Sequence, residues 1–182
     1  MSRLSIPAVV DAPAASQPLL AVVHKKLGVV PNLMKLLGQS PAALEGYLSL
    51  SGALDKGVLN AKLRETLALA VAEFNGCDYC LAAHSYIGKN LVKLTDDEIA
   101  QARDGRAADA RNDAALRFAQ RVAAERGRVL DADIAALRAA GFSDAETVEI
   151  VLHVALNVLT NYVNNVAHTD VDFPRVSEHT HA

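Results

Sequence analysis

Signals that begin and end helices recur along nearly the whole chain, and they constrain its fold more than any other feature. Capping boxes stand at 95–98 and 143–146, where a hydroxyl residue is followed three positions later by glutamate. Ser40-Pro41 supplies an N-cap with proline at the first helical position. Alternating β-type runs are essentially absent. The sequence therefore predicts an all-α fold, with helices at about 19–27, a short one ending at 38, 41–54, 59–75, 77–88, one beginning at 95, 109–126, 131–140 and 144–168.

Composition and charge narrow the class of protein. The chain has 182 residues, of which 51% are hydrophobic and 21% charged, and its formal net charge is −3. This favours one folded domain over residues 1–182, with 1–17 as an N-terminal extension and 176–182 as a disordered tail. There is no basic field to attract nucleic acid, and no apolar run is long enough to span a membrane. We expect a soluble, cytoplasmic protein.

The two cysteines are placed for reactivity or for metal binding. Cys77 and Cys80 are the only cysteines in the chain and stand three positions apart. A bridge between them would close almost no chain, and disulfides that stabilise a fold close long loops. A role in stability is therefore a poor explanation for this pair.

A base and a carboxylate accompany the cysteines. His84 is four residues past Cys80 and seven past Cys77, so all three share one helix face. An imidazole one turn from a thiol can accept or return its proton. Gly76 ends the preceding helix, which carries Glu65; helix geometry does not choose between that carboxylate and Glu73 as the partner of the site.

Two other interpretations of the cysteine pair remain open. The cysteines could be small buried hydrophobes, or they could bind zinc together with His84 and a fourth ligand from His153, His168 or a carboxylate. A thioredoxin-like domain is excluded because its CxxC follows a strand. Redox chemistry is the interpretation we favour.

A polar ridge follows the last helix. His153, Asn157, Asn161, Asn164 or Asn165, and His168 recur in steps of three and four. The ridge could form a pocket wall or a seam against another subunit, or it could simply face solvent. Because asparagine is a poor residue for a solvated helix face, we predict an interface.

The spacing of these residues resembles a known family. Glu65, then eleven residues, then Cys77-x2-Cys80-x3-His84 is similar to the signature of the AhpD-like alkylhydroperoxidases, in the carboxymuconolactone decarboxylase superfamily. Seven further segments of the chain are similar to the peroxidase-related branch of that family: Val30-Pro31-Asn32-Leu33, Ser40-Pro41, Gly46-Tyr47-Leu48, Arg64-Glu65, Leu69-Ala70-Val71-Ala72, Asn161-Tyr162 and Asp172-Phe173-Pro174.

The resemblance implies an AhpD-like helical bundle and a thiol peroxidase without cofactor or bound metal. Cys80 would attack the hydroperoxide, Cys77 would resolve the sulfenic acid as a disulfide, and Glu65 and His84 would relay protons. A thiol electron donor, unidentified from sequence, would reduce the disulfide, and the chain would assemble as a homo-trimer or homo-hexamer.

Two features qualify these expectations. The helix dipole alone favours Cys77 as the more acidic thiol, and Tyr79 stands where the best-studied members have a histidine. The rival functions are a zinc-stabilised helical interaction module, a carboxymuconolactone decarboxylase-like enzyme, and a thiol–disulfide reductase or redox sensor. The cysteine pair argues against the decarboxylase.

Overall fold

A computed structural model describes residues 2–176 and confirms the all-α prediction for that range, which contains no β-strand. Its α-helices are α1 Gln17–Leu27, α2 Asn32–Leu37, α3 Pro41–Leu54, α4 Ala61–Phe74, α5 Asp78–Ile87, α6 Asp96–Arg103, α7 Ala110–Ala124, α8 Asp131–Ala139 and α9 Asp144–Ala167. Short 3₁₀ turns at Val9–Asp11 and Ala14–Ser16 and a π turn at Gly88–Val92 are additions that periodicity did not predict.

Local side-chain chemistry explains where several helices begin. Both predicted capping boxes form, at Thr95 with Glu98 and at Ser143 with Glu146. In the first, the Glu98 backbone N–H donates to Thr95 Oγ1 at 3.1 Å, and the Thr95 N–H donates to Glu98 Oε2 at 2.7 Å. Ser40 caps α3, with Pro41 in its first turn. These caps satisfy backbone donors that a helix leaves unpaired at its N-terminus.

The N-terminal segment is tied to the rest of the fold. The Arg3 N–H donates to the Ala167 carbonyl at 2.6 Å, and the buried Ser16 hydroxyl donates to the Gly38 carbonyl at 2.6 Å. Of the predicted disordered tail at 176–182, only Val176 lies within the described residues.

Helix α4 occupies the centre of the bundle and packs against α5, α6, α7 and α9. Every side chain from Leu67 to Ala72 is buried, and a helix that is apolar on all sides must be surrounded by others. Within residues 2–176, no helix combines the length and hydropathy needed to cross a bilayer.

Helices α4 and α9 run parallel because contacts join them at both ends. At one end, the Glu149 carboxylate accepts from the Val58 and Leu59 N–H groups at 2.8 and 3.2 Å. At the other end, Asn165 Nδ2 donates to the Asn75 carbonyl at 2.8 Å. Helix α5 turns back along α4, and these three helices carry the candidate site.

A buried ion pair joins α6 to α4. Arg103 Nε lies 2.6 Å from Glu73 Oε2, and the two side chains are only 8% and 15% exposed. Breaking an ion pair this deeply buried strongly destabilises a protein, because the charge that remains keeps its desolvation cost.

We therefore expect Glu73→Ala to lower the free energy of unfolding by about 3 kcal/mol, as for other broken buried pairs. Equilibrium urea denaturation measures this change in the free energy of unfolding. The control is Lys62→Ala, which removes the exposed Lys62–Glu98 pair and should cost less than about 1 kcal/mol. Equal losses in the two variants would contradict a structural role for the Glu73–Arg103 pair.

Candidate active site

A tight turn brings the cysteines back over α4. Gly76 has φ +59°, a left-handed conformation that glycine adopts without strain. Immediately after it, the Cys77 N–H donates to the Ala72 carbonyl at 2.9 Å. Cys77 is the N-cap of α5, and its Sγ accepts from the Cys80 N–H at 3.2 Å. Reversal of the chain within three residues lays the first turn of α5 beside the end of α4.

The two sulfur atoms are bonded to each other. Cys77 and Cys80 form a disulfide across a single helical turn, with their Cα atoms 5.3 Å apart. Their exposed fractions are 0% and 3%. The pair can therefore exist as an intrahelical disulfide, which is the geometry that dithiol chemistry requires.

His84 and a carboxylate complete the cluster. His84 Nδ1 lies 2.9 Å from Glu65 Oε2, and both side chains are partly buried. Glu73 points to Arg103 instead. The choice that sequence left open between the two carboxylates is thus settled in favour of Glu65 as the partner of the histidine.

A cavity of about 360 Å³ opens beside the cluster. Cys80, His84 and Glu65 contribute to its wall, whereas Cys77 does not. Most of the remaining wall is apolar, including Leu27, Met34, Leu48, Ile87, Leu156 and Phe173. Of the two cysteines, only Cys80 therefore borders the cavity.

Tyr79 is not free to replace the histidine of the better-studied pattern. Its hydroxyl donates to Asp172 Oδ1 at 2.8 Å and accepts from the Leu33 N–H at 3.1 Å. Burial, more than any other cause, raises the pKa of this phenol far above its ordinary value, so it stays protonated. Its ring meets Phe173 edge-on at 5.8 Å. Through these contacts, Tyr79 holds the C-terminal segment against α5.

The polar ridge on α9 faces its own chain. Asn157, Asn161 and Asn164 are buried, and Asn161 accepts from Asn75 Nδ2 at 2.9 Å. The expectation that these asparagines form a seam against another subunit is wrong, because the chain's own fold buries them, and Asn157 lines the cavity instead. His168 leaves the ridge and lies exposed at the end of α9.

One ridge residue contacts the reactive pair directly. Asn164 Nδ2 donates to Cys80 Sγ at 3.3 Å, and its Oδ1 has no hydrogen-bond partner among the described residues. An amide N–H donor beside a sulfur stabilises negative charge on it. The helical register of Asn164 was visible in the sequence, but its contact with Cys80 depends on how α9 packs on α5.

Two further polar residues line the cavity away from the cysteines. His153 is 5% exposed, and its Nε2 has no partner within residues 2–176. Burial lowers the pKa of His153, and the positive charge of Arg64 lowers it further, so its imidazole is neutral at pH 7. Arg64 donates to the Leu59 carbonyl at 2.8 Å. In the sequence, only its position next to Glu65 pointed to Arg64 as a residue of the site.

The zinc interpretation of the cysteine pair requires a cluster of metal-binding side chains. Across residues 2–176, no three His, Cys, Asp or Glu side chains converge in a way that could hold a metal ion. The two cysteines that a zinc site would use are bonded to each other.

We expect Asn164→Leu to reduce the thiolate fraction of Cys80 in the reduced protein. Loss of a hydrogen bond to a charged group should slow alkylation by iodoacetamide at pH 7 roughly tenfold. The rate is measured in a Cys77→Ser background, so that one thiol reports. Asn165→Leu is the control, because that side chain bonds to the Asn75 carbonyl and not to sulfur. Equal rates in the two variants would show that Asn164 does not act on Cys80.

Comparison with known proteins agrees with this geometry. Residues 41–125 match the family model described as "Carboxymuconolactone decarboxylase family". An uncharacterized protein of Haemophilus influenzae is 46% identical over 48 residues, and the match spans 26% of this chain and only 42% of that protein.

Solved structures extend the likeness to nearly the whole chain. An AhpD-core, peroxidase-related protein from Ralstonia eutropha JMP134 has a TM-score of 0.83 and 28% identity, with 94% of this chain and 92% of that chain covered. A peroxidase-related protein from Silicibacter sp. TM1040 has a TM-score of 0.81 and 25% identity, with 93% and 91% covered.

A third structure shares the fold alone. It is a debrominase in complex with 2,3,4-tribromopyrrole, with a TM-score of 0.78 and 18% identity over 94% of each chain. The family match over residues 41–125 and the two peroxidase-related structures together support a place for this chain in the AhpD-like and carboxymuconolactone decarboxylase superfamily.

Proposed function

We propose that the protein is a dithiol peroxidase that reduces organic hydroperoxides, and hydrogen peroxide as a smaller substrate. The observation that carries the proposal is the position of Cys80. It lines an apolar cavity, it is one turn from the sulfur that bonds to it, and it lies one turn before a carboxylate-bound histidine.

The first step forms a sulfur–oxygen bond. In the reduced protein, the Cys80 thiolate attacks the outer oxygen of the hydroperoxide, and the O–O bond breaks. The sulfur is oxidised to a sulfenic acid, while the alkoxide takes up a proton and leaves as an alcohol. His84 is the group placed to transfer that proton.

The second step uses the other cysteine. The Cys77 thiolate attacks Cys80 sulfur, the S–S bond forms, and the sulfenic oxygen leaves with a proton as water. Two electrons from an external thiol donor then return the disulfide to two thiols. Neither step requires a cofactor.

Two observations support this division of roles. Cys80 reaches the cavity and accepts a hydrogen bond from Asn164, so it is the sulfur that a substrate can meet. Cys77 is completely buried at the start of α5, where the helix dipole stabilises a thiolate. The dipole that favours Cys77 as the more acidic thiol therefore suits its role as the resolving nucleophile, and later as the sulfur that leaves during reduction.

The Glu65 carboxylate orients the imidazole ring of His84. Contact with Glu65 engages Nδ1, which leaves Nε2 to exchange protons with the reacting atoms. A carboxylate in that position also stabilises the imidazolium that forms when His84 accepts the thiol proton.

The shape of the cavity supports an organic substrate. Predominantly apolar walls gain free energy by burying a hydrocarbon group, which hydrogen peroxide lacks. His153 Nε2, which has no partner within residues 2–176, supplies a hydrogen-bonding group elsewhere in the wall, and it suits a hydroperoxide whose carbon skeleton carries a polar atom such as a carbonyl oxygen.

The name of the Ralstonia eutropha relative, a peroxidase-related protein, agrees with this proposal. Two of the three rival functions predict clearly different behaviour. A decarboxylase of the same superfamily would keep its turnover after both cysteines are replaced by serine. A zinc-stabilised module would purify, without a histidine tag, with one zinc ion per chain and no peroxidase activity.

The proposal is tested by steady-state turnover of cumene hydroperoxide and of hydrogen peroxide, with dithiothreitol as the electron donor. We expect Cys80→Ser and Cys77→Ser each to abolish turnover, and Glu65→Gln to reduce it about 100-fold through loss of proton transfer. Cumene hydroperoxide should have the higher kcat/KM.

Tyr79→Phe is the matched control. Tyr79 stands between the two cysteines in the sequence, but its hydroxyl bonds to Asp172 and to neither cysteine. Its kcat should stay within about twofold of the wild-type value, since it loses no proton-transfer group. Turnover that survives in Cys80→Ser, or no turnover in the wild type, would contradict the proposal.

A further inference from the structure

Helix α9 buries several polar side chains and exposes apolar ones along most of its length. Its buried side includes His153, Asn157, Thr160, Asn161 and Asn164, and its outward side is apolar. An amphipathic helix on the surface of a soluble monomer has the opposite arrangement, with the apolar stripe facing the core. The outward side of α9 therefore lacks a partner among residues 2–176.

The outward residues form a continuous seam. Its members are exposed by 60% at Val148, 39% at Leu152, 40% at Leu159, 57% at Tyr162 and 64% at Val166, and Ala155 is exposed as well. We call residues 148, 152, 155, 159, 162 and 166 the α9 seam. Their spacing of four, three, four, three and four is the heptad pattern with which helices pack along each other.

The seam carries no charge that would oppose self-association. Between residues 150 and 169 the chain has no Asp, Glu, Lys or Arg. The nearest carboxylate, that of Glu149, is occupied by the Val58 and Leu59 N–H groups. Two copies of this surface can therefore approach without like-charge repulsion.

The area of the seam matches an interface. Its exposed side chains present on the order of 500 Å², the size of the largest and often functional patch on a monomer. Two copies would together bury on the order of 1,000 Å², where a specific interface begins. Two more apolar side chains are exposed near the ends of α9: Val58, whose N–H donates to Glu149, and Phe74, which precedes the Asn75 bonded to Asn165, are 64% and 48% exposed.

We propose that the α9 seam pairs with the same seam of a second copy of this chain, in antiparallel orientation. The spacing is symmetric about residue 157, so a two-fold axis there brings every seam residue opposite another. Val148 then meets Val166, Leu152 meets Tyr162, and the small Ala155 meets the larger Leu159. The contact would extend about 27 Å at the usual helical rise.

A two-fold contact of this kind closes on itself, and it can stand alone as a dimer or join trimers into a hexamer. The pairing is independent of the peroxidase proposal, because none of the seam residues lines the cavity with Cys80.

Sedimentation equilibrium of the full chain tests the pairing. The wild type should be a dimer or hexamer, and Leu159→Glu or Ala155→Lys alone should halve its mass by placing an unpaired charge in the seam. A mixture of the two variants should recover the wild-type mass, because antiparallel pairing sets the introduced lysine of one copy against the introduced glutamate of the other.

The control is Val10→Glu, at a valine that is 83% exposed outside α9, and it should sediment as the wild type. Circular dichroism checks that each variant keeps its helix content. A monomeric or trimeric wild type, or a Leu159→Glu variant of unchanged mass, would overturn the proposal. Loss of mass without recovery in the mixture would overturn the antiparallel orientation.

Discussion

The site depends on one reversal of the backbone, at Gly76. Helix α4 ends at Phe74 and α5 begins at Asp78, so only a left-handed residue between them allows α5 to fold back at once. That reversal makes Cys77 the N-cap of α5 and sets His84 against Glu65. A longer connection would separate the thiols from the carboxylate and leave the histidine without its partner.

Sequence patterns predicted those parts of the molecule that local chemistry determines. The capping residues Thr95 and Ser143 bond within four residues of themselves, so the helix starts could be read directly. The same holds for the shared face of Cys77, Cys80 and His84, which follows from helical spacing. Helix ends differed by one or two residues where the last turn frays.

Features that depend on packing could not be predicted in this way. The choice of Glu65 over Glu73 was decided by Arg103, which is 30 residues beyond Glu73 in the chain. The partner of Tyr79 is Asp172, 93 residues away. Asparagine on α9 correctly indicated a covered helix face, but the cover is the rest of the same chain. The surface left for another copy is the apolar side of the same helix.

Oxidation of Cys80 by a hydroperoxide, followed by its resolution by Cys77, is tested most directly by mass spectrometry. The reduced Cys77→Ser protein is treated with one equivalent of cumene hydroperoxide in the presence of dimedone, which traps sulfenic acids. We expect one dimedone adduct on Cys80, and in the wild type a Cys77–Cys80 disulfide with no adduct. An adduct on Cys77 in the Cys80→Ser protein and none on Cys80, or thiols that remain unreacted in every form, would contradict this division of roles.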